Sequence, residues 1–555
     1  MFAALVSIVN DVALGPENQK VKKYLDNGTC DSVARDLGKV LSSQLRGFKE
    51  RELLQTTFYK YCIEGPFQQK CKNEESFTRH VRSTHSKAAI SDAALQLLWR
   101  SFHFYAYHPF PRVSQYGQVD FDAFQRAVLL TAFQCDDLLG TRELEWFWRN
   151  DAAFFRRASF KRMFRSIGVP ETTTRLLKQQ NGMTSTLSDA MDVFIMVGPQ
   201  FMHAAPSPEQ LEAVARNLFA REPTLTQREV RREDVSTLVD LLLRMRLNKE
   251  KWGSFYHLGD FVDASPADNE LTEALVNSLI GDGSEQTVTS DQLLRAIDIV
   301  ANLQVRFYQL WAVLFQPSAL TAEAKLSRAP ETMPTHINGA ISLFAPQFMT
   351  ENRYHLRTVQ QDSRLALKRA QSSPDSHDTT IVRLVQALSR HPSACIVLFS
   401  SEAVGTTPKI VIGAYFPGSL NVSITRAENE KRETQSNTSH LLFQLQPSFR
   451  LLRSGKPNIS ITDLIKTEGQ GVSLADIATN EVIGSPNLSY WIGDGTSQSE
   501  GLRIDPQKKT AMLASSDGQW YRDLMADENS QSKKNWEVTA QNPRMDIFMV
   551  TSDVN

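Results

Sequence analysis

The stretch Lys409–Gly418, KIVIGAYFPG, places two small residues inside a run of large apolar side chains. β-Branched and aromatic residues favour a strand, whereas Gly and Ala within it mark places where a neighbour comes close. Pro417 lacks an N–H group, so it ends strand pairing and begins a turn. We therefore expect Gly413 and Ala414 to allow close packing against a facing layer, with bulky residues after them on opposite faces.

Strand-like runs recur through the C-terminal part of the chain. They are ACIVLFS, HLLFQLQP, FRLLRS, YWIGDG, TAMLAS, NWEVTA and MDIFMV, separated by Gly, Asn, Asp and Ser. One helix-like piece, TTIVRLVQALSRH, precedes the first of them. The pattern predicts an antiparallel β domain with a few helices.

The preceding part of the chain shows helical periodicity instead. VARDLGKVLSSQLRGF, ISDAALQLLWRSFHFY, VDFDAFQRAVLLTAFQ and DVSTLVDLLLRMRLNK place apolar residues at i, i+3, i+4 and i+7. A connector with three prolines follows the helical part. The predicted fold class is therefore α+β, with an all-helical domain over 1–320, a linker over 321–334 and the β domain over 335–555.

Composition narrows the functional classes. The 555 residues include 61 Lys and Arg against 62 Asp and Glu, so the net charge of −1 gives no reason to expect a nucleic-acid partner. Five scattered cysteines favour a reducing compartment over a disulfide framework. No run approaches the roughly 20 apolar residues of a membrane span, so we expect no transmembrane segment.

One segment has the residue types of a zinc finger without its spacing. Eight residues separate Cys62 from Cys71, whereas a finger uses two to four. Eight residues also separate Cys71 from His80, against about twelve in the finger pattern. We predict a helix with exposed histidines, His80 and His85, and no zinc.

Two segments, 112–124 and 281–293, have the shape of a calcium-binding EF-hand loop without its ligands. Calcium needs several oxygen ligands and a closing bidentate carboxylate. The corresponding positions of the first loop hold Arg112, Ser114, Tyr116 and Ala123, and Gln292 closes the second. We predict EF-hand-like segments that bind no calcium, and a protein without a metal or cofactor.

A basic amphipathic helix is predicted over 149–168. Its apolar stripe is Phe160, Met163, Phe164 and Ile167, and its basic stripe is Arg157, Lys161 and Arg165. Such a helix suits an acidic partner groove or an anionic membrane surface. The alternative is an ordinary surface helix with its apolar stripe in the core.

Catalytic motifs are missing from the sequence. There is no G-x-S-x-G elbow, and RSGKPN (453–458) lacks the first glycine and the Ser/Thr of a P-loop. Cys395, inside a strand-like run, is expected to be a buried inert thiol. An acid/base site would have to use Asp494, Asp546, Glu537 and His440, no two of which have diagnostic spacing. We therefore predict no catalytic residues.

The β domain resembles the TLDc family over residues 335–555, and the resemblance implies a two-sheet antiparallel β-sandwich with a few helices. ACIVLFSS and KIVIGAYFPG are similar to its opening strand pair, HLLFQLQPSFRLL to the next element, YWIGDGTSQSEGLRID to the aromatic and Gly-Leu region, and MDIFMV to the closing strand. The signature positions are Ile412, Gly413, Ala414, Tyr415, Phe443, Leu445, Pro447, Asp546 and Phe548. The family's glycine run is replaced here by RIDPQKK (503–509).

The helical half resembles the N-terminal region of a TLDc subgroup that includes the fungal restriction-of-telomere-capping proteins, through YHPFPRVSQYGQVDFDAFQRAVLLT (107–131). The resemblance implies a cytoplasmic, non-enzymatic regulator linked to oxidative stress. It would bind peripheral-sector subunits of the vacuolar proton pump (V-ATPase), with at most peripheral contact with the vacuolar membrane.

The expected partner contacts are the loop with Tyr490, Trp491, Asp494 and Gly501, the basic residues Arg157, Lys161 and Arg165, and the tail after Val550. Two alternatives stay open. One is a general signalling scaffold that acts through the helical half, and the other is a cryptic enzyme in the TLDc domain.

Overall fold

The computed structural model describes residues 16–17, 19–45, 48–65, 68–110, 117–140, 152–170, 185–199, 206–221, 228–252, 256–281, 287–317, 333–346, 366–369, 378–390, 394–405, 408–417, 439–455, 464–468, 488–493, 500–516, 520–526 and 535–551. These residues form helices and antiparallel sheets, so the predicted α+β class is confirmed.

The helices lie mainly in the first part of the chain. They are α1 (Cys30–Ser42), α2 (Phe48–Lys60), α3 (Glu74–Arg82), α4 (Asp92–Ala106), α5 (Phe121–Leu130), α6 (Ala152–Ile167), α7 (Ser185–Val197), α8 (Pro208–Arg221), α9 (Arg232–Arg244), α10 (Pro266–Ile280), α11 (Ser290–Ile299), α12 (Leu303–Leu314), α13 (Thr335–Phe344) and α14 (Ile381–Arg390). Several begin with a side-chain cap; the Ser91 hydroxyl, for example, accepts from the Ala94 N–H at the start of α4.

Two pairs of helix–loop–helix units make up much of this part. Lys72, between α3 and the short hairpin β1 (Ile63–Glu64) and β2 (Lys70–Cys71), exchanges two backbone hydrogen bonds of 2.8 Å with Val119 in the loop between α4 and α5. An equivalent bridge joins Arg231 and Thr287, and the Val288 N–H donates to the Val230 carbonyl at 2.8 Å. The short strands β3 (Val169–Pro170) and β4 (Arg228–Glu229) pair beside it.

The all-helical prediction for residues 1–320 was wrong at one substantial place. The sequence predicts that the helix containing Asp234 continues to Lys249, but the helix ends at Arg244. The chain then forms β5 (Met245–Trp252), which pairs with β6 (Tyr256–Phe261). Over residues 245–248 the burial alternates with a period of two, as is typical of a strand. The cross-strand pair Arg246 and Asp260, with 3.0 Å between Nε and Oδ1, supports this hairpin.

The C-terminal part contains two antiparallel sheets. Their strands are β7 (Ala366–Arg369), β8 (Cys395–Ser401), β9 (Ile410–Phe416), β10 (Leu441–Gln446), β11 (Arg450–Ser454), β12 (Ile465–Thr467), β13 (Tyr490–Ile492), β14 (Gly501–Asp505), β15 (Thr510–Ser515), β16 (Tyr521–Asp523), β17 (Trp536–Gln541) and β18 (Arg544–Thr551). Seven strands, in the order β16, β11, β10, β9, β8, β18, β7, form one sheet, and five, in the order β12, β13, β14, β15, β17, form the other.

The seven-stranded sheet is buried on both faces. One face packs with the five-stranded sheet and α14 into the core of a β-sandwich. The opposite face joins the core of the helical part, so the structure has a helical layer and two sheet layers. Helix α13, which lies in the predicted β domain, packs against α9, α12 and β5, and its Phe344 ring lies 5.1 Å from the ring of Phe443 on β10.

The stretch 409–418 contains β9, whose successive side chains point to opposite faces of the sheet, as predicted. Tyr415 lies in the core on the helical side and Phe416 in the sandwich core. The neighbour that crowds Gly413 is different from the expected one. A Cβ there would lie 2.7 Å from the Phe443 ring and 2.5 Å from the Val397 carbonyl oxygen. The absent side chain of Gly413 therefore leaves room for an aromatic ring on the helical side of the sheet, and not for the facing sheet.

Gly413→Ala is expected to lower the free energy of unfolding by about 3 kcal/mol, because the added methyl group overlaps a backbone carbonyl that cannot move without breaking strand pairing. Urea unfolding followed by circular dichroism measures this. Gly405→Ala is the matched control: its φ is +61° but no atom lies within 4 Å, so only backbone strain of about 1 kcal/mol applies. Equal losses in the two variants would contradict the packing account.

Candidate functional site

The outward face of the five-stranded sheet carries a cluster of Glu468, Trp491 and Arg503, here called the sheet-face cluster. Trp491 and Arg503 are cross-strand partners in β13 and β14, so their side chains leave the same face. The Trp491 indole N–H donates to Glu468 Oε1 at 2.7 Å, and Arg503 Nη2 donates to Glu468 Oε2 at 2.8 Å. One carboxylate thereby fixes both neighbours.

Arg503 is the most accessible side chain of this cluster. Its guanidinium lies 5.6 Å from the centre of the Trp491 ring, and 36% of its side chain is exposed. Arginine presents more N–H donors than one carboxylate can fill, and stacking on a ring limits the freedom it loses on binding. The cluster can therefore receive carboxylate or carbonyl oxygens from a partner.

The structure separates the four residues predicted for the 490–501 contact. Trp491 lies in the sheet-face cluster, but Tyr490 points into the sandwich core, where its hydroxyl donates to the Thr379 carbonyl at 2.9 Å. Gly501 has a φ of +138° and supports a close approach to the Ile492 carbonyl. Asp494 lies outside the described residues, as does the tail beyond Thr551.

The basic helix forms as α6, and its apolar stripe is buried in the helical core. Arg157 is exposed and Lys161 partly exposed, so both are accessible to a partner. Arg165 is less available, because its guanidinium pairs with Asp189 of α7. A partner contact at these three residues stays a prediction.

Arg162, on the buried side of the same helix, is the centre of an ion-pair cluster that the sequence analysis missed. Its side chain is 1% exposed. Its Nε lies 2.8 Å from Asp136 Oδ1, and its Nη1 lies 2.9 Å from Asp192 Oδ2 and 3.4 Å from Asp189 Oδ1. The Tyr308 hydroxyl of α12 also donates to Asp136, at 3.0 Å. These contacts join α6, α7, α12 and the 135–138 turn.

Two sequence signals point to this cluster. Arg162 lies between Phe160 and Met163, within the apolar stripe, where an unpaired charge would be costly. Asp189 and Asp192 lie three apart, and therefore on one face, of the otherwise mainly apolar helix α7. Opposite charges on the apolar faces of two helices are expected to pair with each other, because each would otherwise be buried without a partner.

Arg162→Met is expected to lower the free energy of unfolding by about 3–5 kcal/mol, because it leaves buried carboxylates without their cation. Thermal and urea unfolding measure the loss. Arg157→Met, on the exposed side of the same helix, is the control and should change stability by no more than about 0.5 kcal/mol. A small effect of Arg162→Met would show that the buried cluster does not hold the helices together.

The residues considered for an acid/base site lie in separate surroundings. His440 is buried beside Tyr521, with 3.0 Å between Nδ1 and the hydroxyl, and burial lowers its pKa to about 3. Asp546 pairs with Arg369 and Arg544. Glu537 is exposed on β17. Among the described residues, no hydrogen bond or ion pair joins any two of His440, Glu537 and Asp546.

The buried thiol expected at Cys395 lies in the sandwich core, where burial raises its pKa to about 12. Such a thiol is a poor nucleophile at neutral pH because the thiolate is the reactive form.

The predicted exposure of the two histidines was wrong. His80 donates its Nε2–H to the Leu314 carbonyl at 3.1 Å, and burial lowers its pKa to about 3. His85 packs edge-on against Phe261, with 5.0 Å between ring centres. Within the described part of the chain, no group of three or more His, Cys, Asp or Glu side chains is arranged to hold a metal ion.

Protein groups occupy the closing positions of the second loop pair. Gln292, four residues after Val288, accepts from the Thr289 N–H at 2.8 Å and donates to the Ile280 carbonyl at 2.7 Å. Asp234, four residues after Val230, pairs with the Arg100 guanidinium of α4. The Gln292 amide and the Arg100 guanidinium thus tie these segments to their helices. Of the four ligand positions named for the first predicted loop, only Ala123 is among the described residues.

Lys72, in the first loop pair, is a buried cation without a carboxylate partner in the described contacts. It is 1% exposed, and its Nζ has no hydrogen-bond partner within the described part of the chain. The rings of Phe58, Tyr61 and Phe124 surround it at 5.9, 5.5 and 5.6 Å. Cation–π attraction offsets part of the cost of burying the ammonium.

Burial lowers the pKa of Lys72 to about 8, so stability should rise between pH 8 and 10.5. Over that range the unfolded chain binds a proton that the folded chain has released, which adds up to about 3 kcal/mol to the free energy of unfolding at high pH. Lys72→Met should raise stability at pH 7 and remove this dependence. Urea unfolding at pH 7, 8, 9 and 10 tests this, and an identical pH dependence in the variant would contradict it.

No family model matches the sequence, and no curated protein matches it significantly. Among the helices of the described residues, none combines the length and apolar character needed to cross a membrane.

Proposed function

We propose that this protein is a non-enzymatic binding and regulatory protein built on a TLDc-type β-sandwich. The positions that carry the resemblance support this proposal. Gly413 and its neighbours form β9, Phe443 and Leu445 lie in β10, and Asp546 and Phe548 lie in β18. These three strands belong to one sheet, with β8 between β9 and β18.

The helical half is proposed to be EF-hand-like and to act without calcium. Two pairs of helix–loop–helix units joined by antiparallel bridges support the likeness. The Arg100–Asp234 pair and the Gln292 amide support calcium independence, because each ties a loop to its helices through the protein's own groups.

One observation favours a binding role at the sheet-face cluster. The seven-stranded sheet is covered on both faces, so its faces are not open to a partner. The five-stranded sheet is covered on its inner face, and its outer face presents Arg503 beside Trp491. Arginine and tryptophan are the residue types most enriched at the energetic centres of protein interfaces.

The partner is proposed to be an acidic or carbonyl-rich surface of the peripheral sector of the V-ATPase. The association would be cytoplasmic, with at most peripheral contact with the vacuolar membrane and a role in the oxidative-stress response. These assignments come from the TLDc resemblance, and the chemistry of Arg503 supports the acidic character of the partner surface.

Affinity purification of the full-length protein under mild conditions, with mass spectrometry, tests the proposal. Arg503→Met is expected to lower recovery of pump subunits at least tenfold, since one desolvated charged contact contributes about 1.4 kcal/mol or more. Arg216→Met, at an exposed position of α8, is the matched control and should retain them.

Absence of every pump subunit from the unmodified protein would refute the pump assignment. Equal recovery with Arg503→Met would refute the sheet-face cluster as the contact while leaving the pump assignment intact.

A scaffold role of the helical half is the second candidate, favoured by the exposure of Arg157 and Lys161 on α6. Replacing both residues by Glu reverses two charges without touching the buried Arg162 cluster. Loss of partners in this variant, with Arg503→Met unaffected, would support the scaffold role over the sandwich contact.

A further inference from the structure

Strand β17 forms an open edge of the five-stranded sheet. It pairs with β15 along its whole length, from Trp536 opposite Ser515 to Gln541 opposite Thr510. No strand of the described residues pairs with its other side. It has six residues, whereas the other edge strands of the two large sheets, β7, β12 and β16, have four, three and three. Within the described part of the chain, β17 is therefore the longest edge of the sandwich.

The register of β17 shows which backbone groups face this edge. The Asn542 N–H donates to the Lys509 carbonyl at 2.8 Å, which continues the ladder with β15 by one rung. Hydrogen-bonded rungs alternate with non-hydrogen-bonded rungs in an antiparallel pair, so the even-numbered residues of β17 bond to β15. The N–H and carbonyl groups of Glu537, Thr539 and Gln541 therefore point to the open edge, where they form a template for one more strand.

The edge lacks the features by which other edge strands avoid pairing. Natural edges are commonly protected by Lys, by Pro, by a bulge or by short length. The sequence of β17, WEVTAQ, contains neither Lys nor Pro, and its pairing with β15 is regular over all six residues. Glu537 is its one charged residue. Such an edge is suited to pairing with another strand.

The open edge is complementary to a second copy of itself. A two-fold axis at Thr539 places Thr539 opposite Thr539 and Glu537 opposite Gln541, all in hydrogen-bonded rungs. No like charges then face each other, and Thr–Thr pairs stabilise antiparallel sheets. On the inner face, Val538 lies opposite Ala540 of the second copy. Val538 is only partly buried at the margin of the sandwich core, so it gains an apolar neighbour.

We propose that β17 pairs antiparallel with β17 of a second copy of this chain and joins the two five-stranded sheets into one ten-stranded sheet. The resulting dimer has closed two-fold symmetry, so both β17 edges are used and assembly through this edge stops at two chains. The interface uses backbone groups and does not depend on the proposed partner.

The dimer places both sheet-face clusters on the same side. The two-fold axis is perpendicular to the sheet, so the outer faces of the two copies point in one direction. Arg503, Met512 and Thr539 form one row across β14, β15 and β17, and the row continues into the second copy in reverse order. Five strand spacings separate the two Arg503 positions by about 24 Å. A partner with two matching sites would therefore bind with avidity, a consequence that rests on the proposed function.

Analytical ultracentrifugation of the full-length protein over a range of concentrations tests the dimer. The unmodified protein should reach twice the mass of one chain. Thr539→Lys should weaken dimerisation about tenfold or more, because it sets two ammonium-bearing side chains opposite each other at the axis. Gln541→Lys is the matched control: it adds the same charge on the same face of the same edge, but opposite Glu537 of the second copy. This variant should dimerise at least as tightly as the unmodified protein.

Hydrogen exchange of single backbone amides locates the interface. The amides of Glu537, Thr539 and Gln541 should exchange slowly where the protein is dimeric and fast on dilution, because only the second copy pairs them. Those of Val538 and Ala540 bond to β15 in both states and are the internal control.

A protein that is monomeric at every concentration would overturn the proposal, as would equal dimerisation of the Thr539→Lys and Gln541→Lys variants. Arg503→Met should leave the dimer intact, so that failure of the dimer and failure of the sheet-face contact are distinguished.

Discussion

The contact between Phe344 of α13 and Phe443 of β10 is the interaction on which the layered structure depends. Phe443 lies over Gly413 of the neighbouring strand, and Phe344 also approaches Phe449, with 5.6 Å between ring centres. Across the same boundary, the Ser278 hydroxyl of α10 donates to the Phe449 carbonyl at 2.9 Å. Because aromatic rings bury a large apolar area, this boundary joins the helices and the sheet into one core.

Buried ion pairs also hold the helices of the helical part together. Arg162 draws carboxylates from separate elements onto one guanidinium, and Arg100 of α4 pairs with Asp234 of α9. Removing one partner of such a buried pair costs far more than the pair contributes as a whole. The helices are therefore held in one arrangement by groups internal to the chain, while the residues left for outside contacts lie at exposed positions such as Arg503 and Arg157.

Strand and helix periodicity was enough to predict the mixed fold, the change of character along the chain and the strand containing Gly413. It missed β5 because the apolar positions of α9 continue into a period of two without a break such as glycine or proline. It also misassigned His80, whose burial depends on a carbonyl more than two hundred residues away. Of the candidate site, the sequence indicated Trp491, but Glu468 joins it only through strand pairing across segments that a linear pattern does not connect.

Native-state hydrogen exchange in low concentrations of urea tests the union of the layers most directly. If the Phe344–Phe443 boundary joins them, the amides of α13 and of β10 should open with the same free energy and the same dependence on urea, as one cooperative unit. Exchange of α13 and the other helices at a much lower free energy than β10, with the sandwich still protected, would contradict the account.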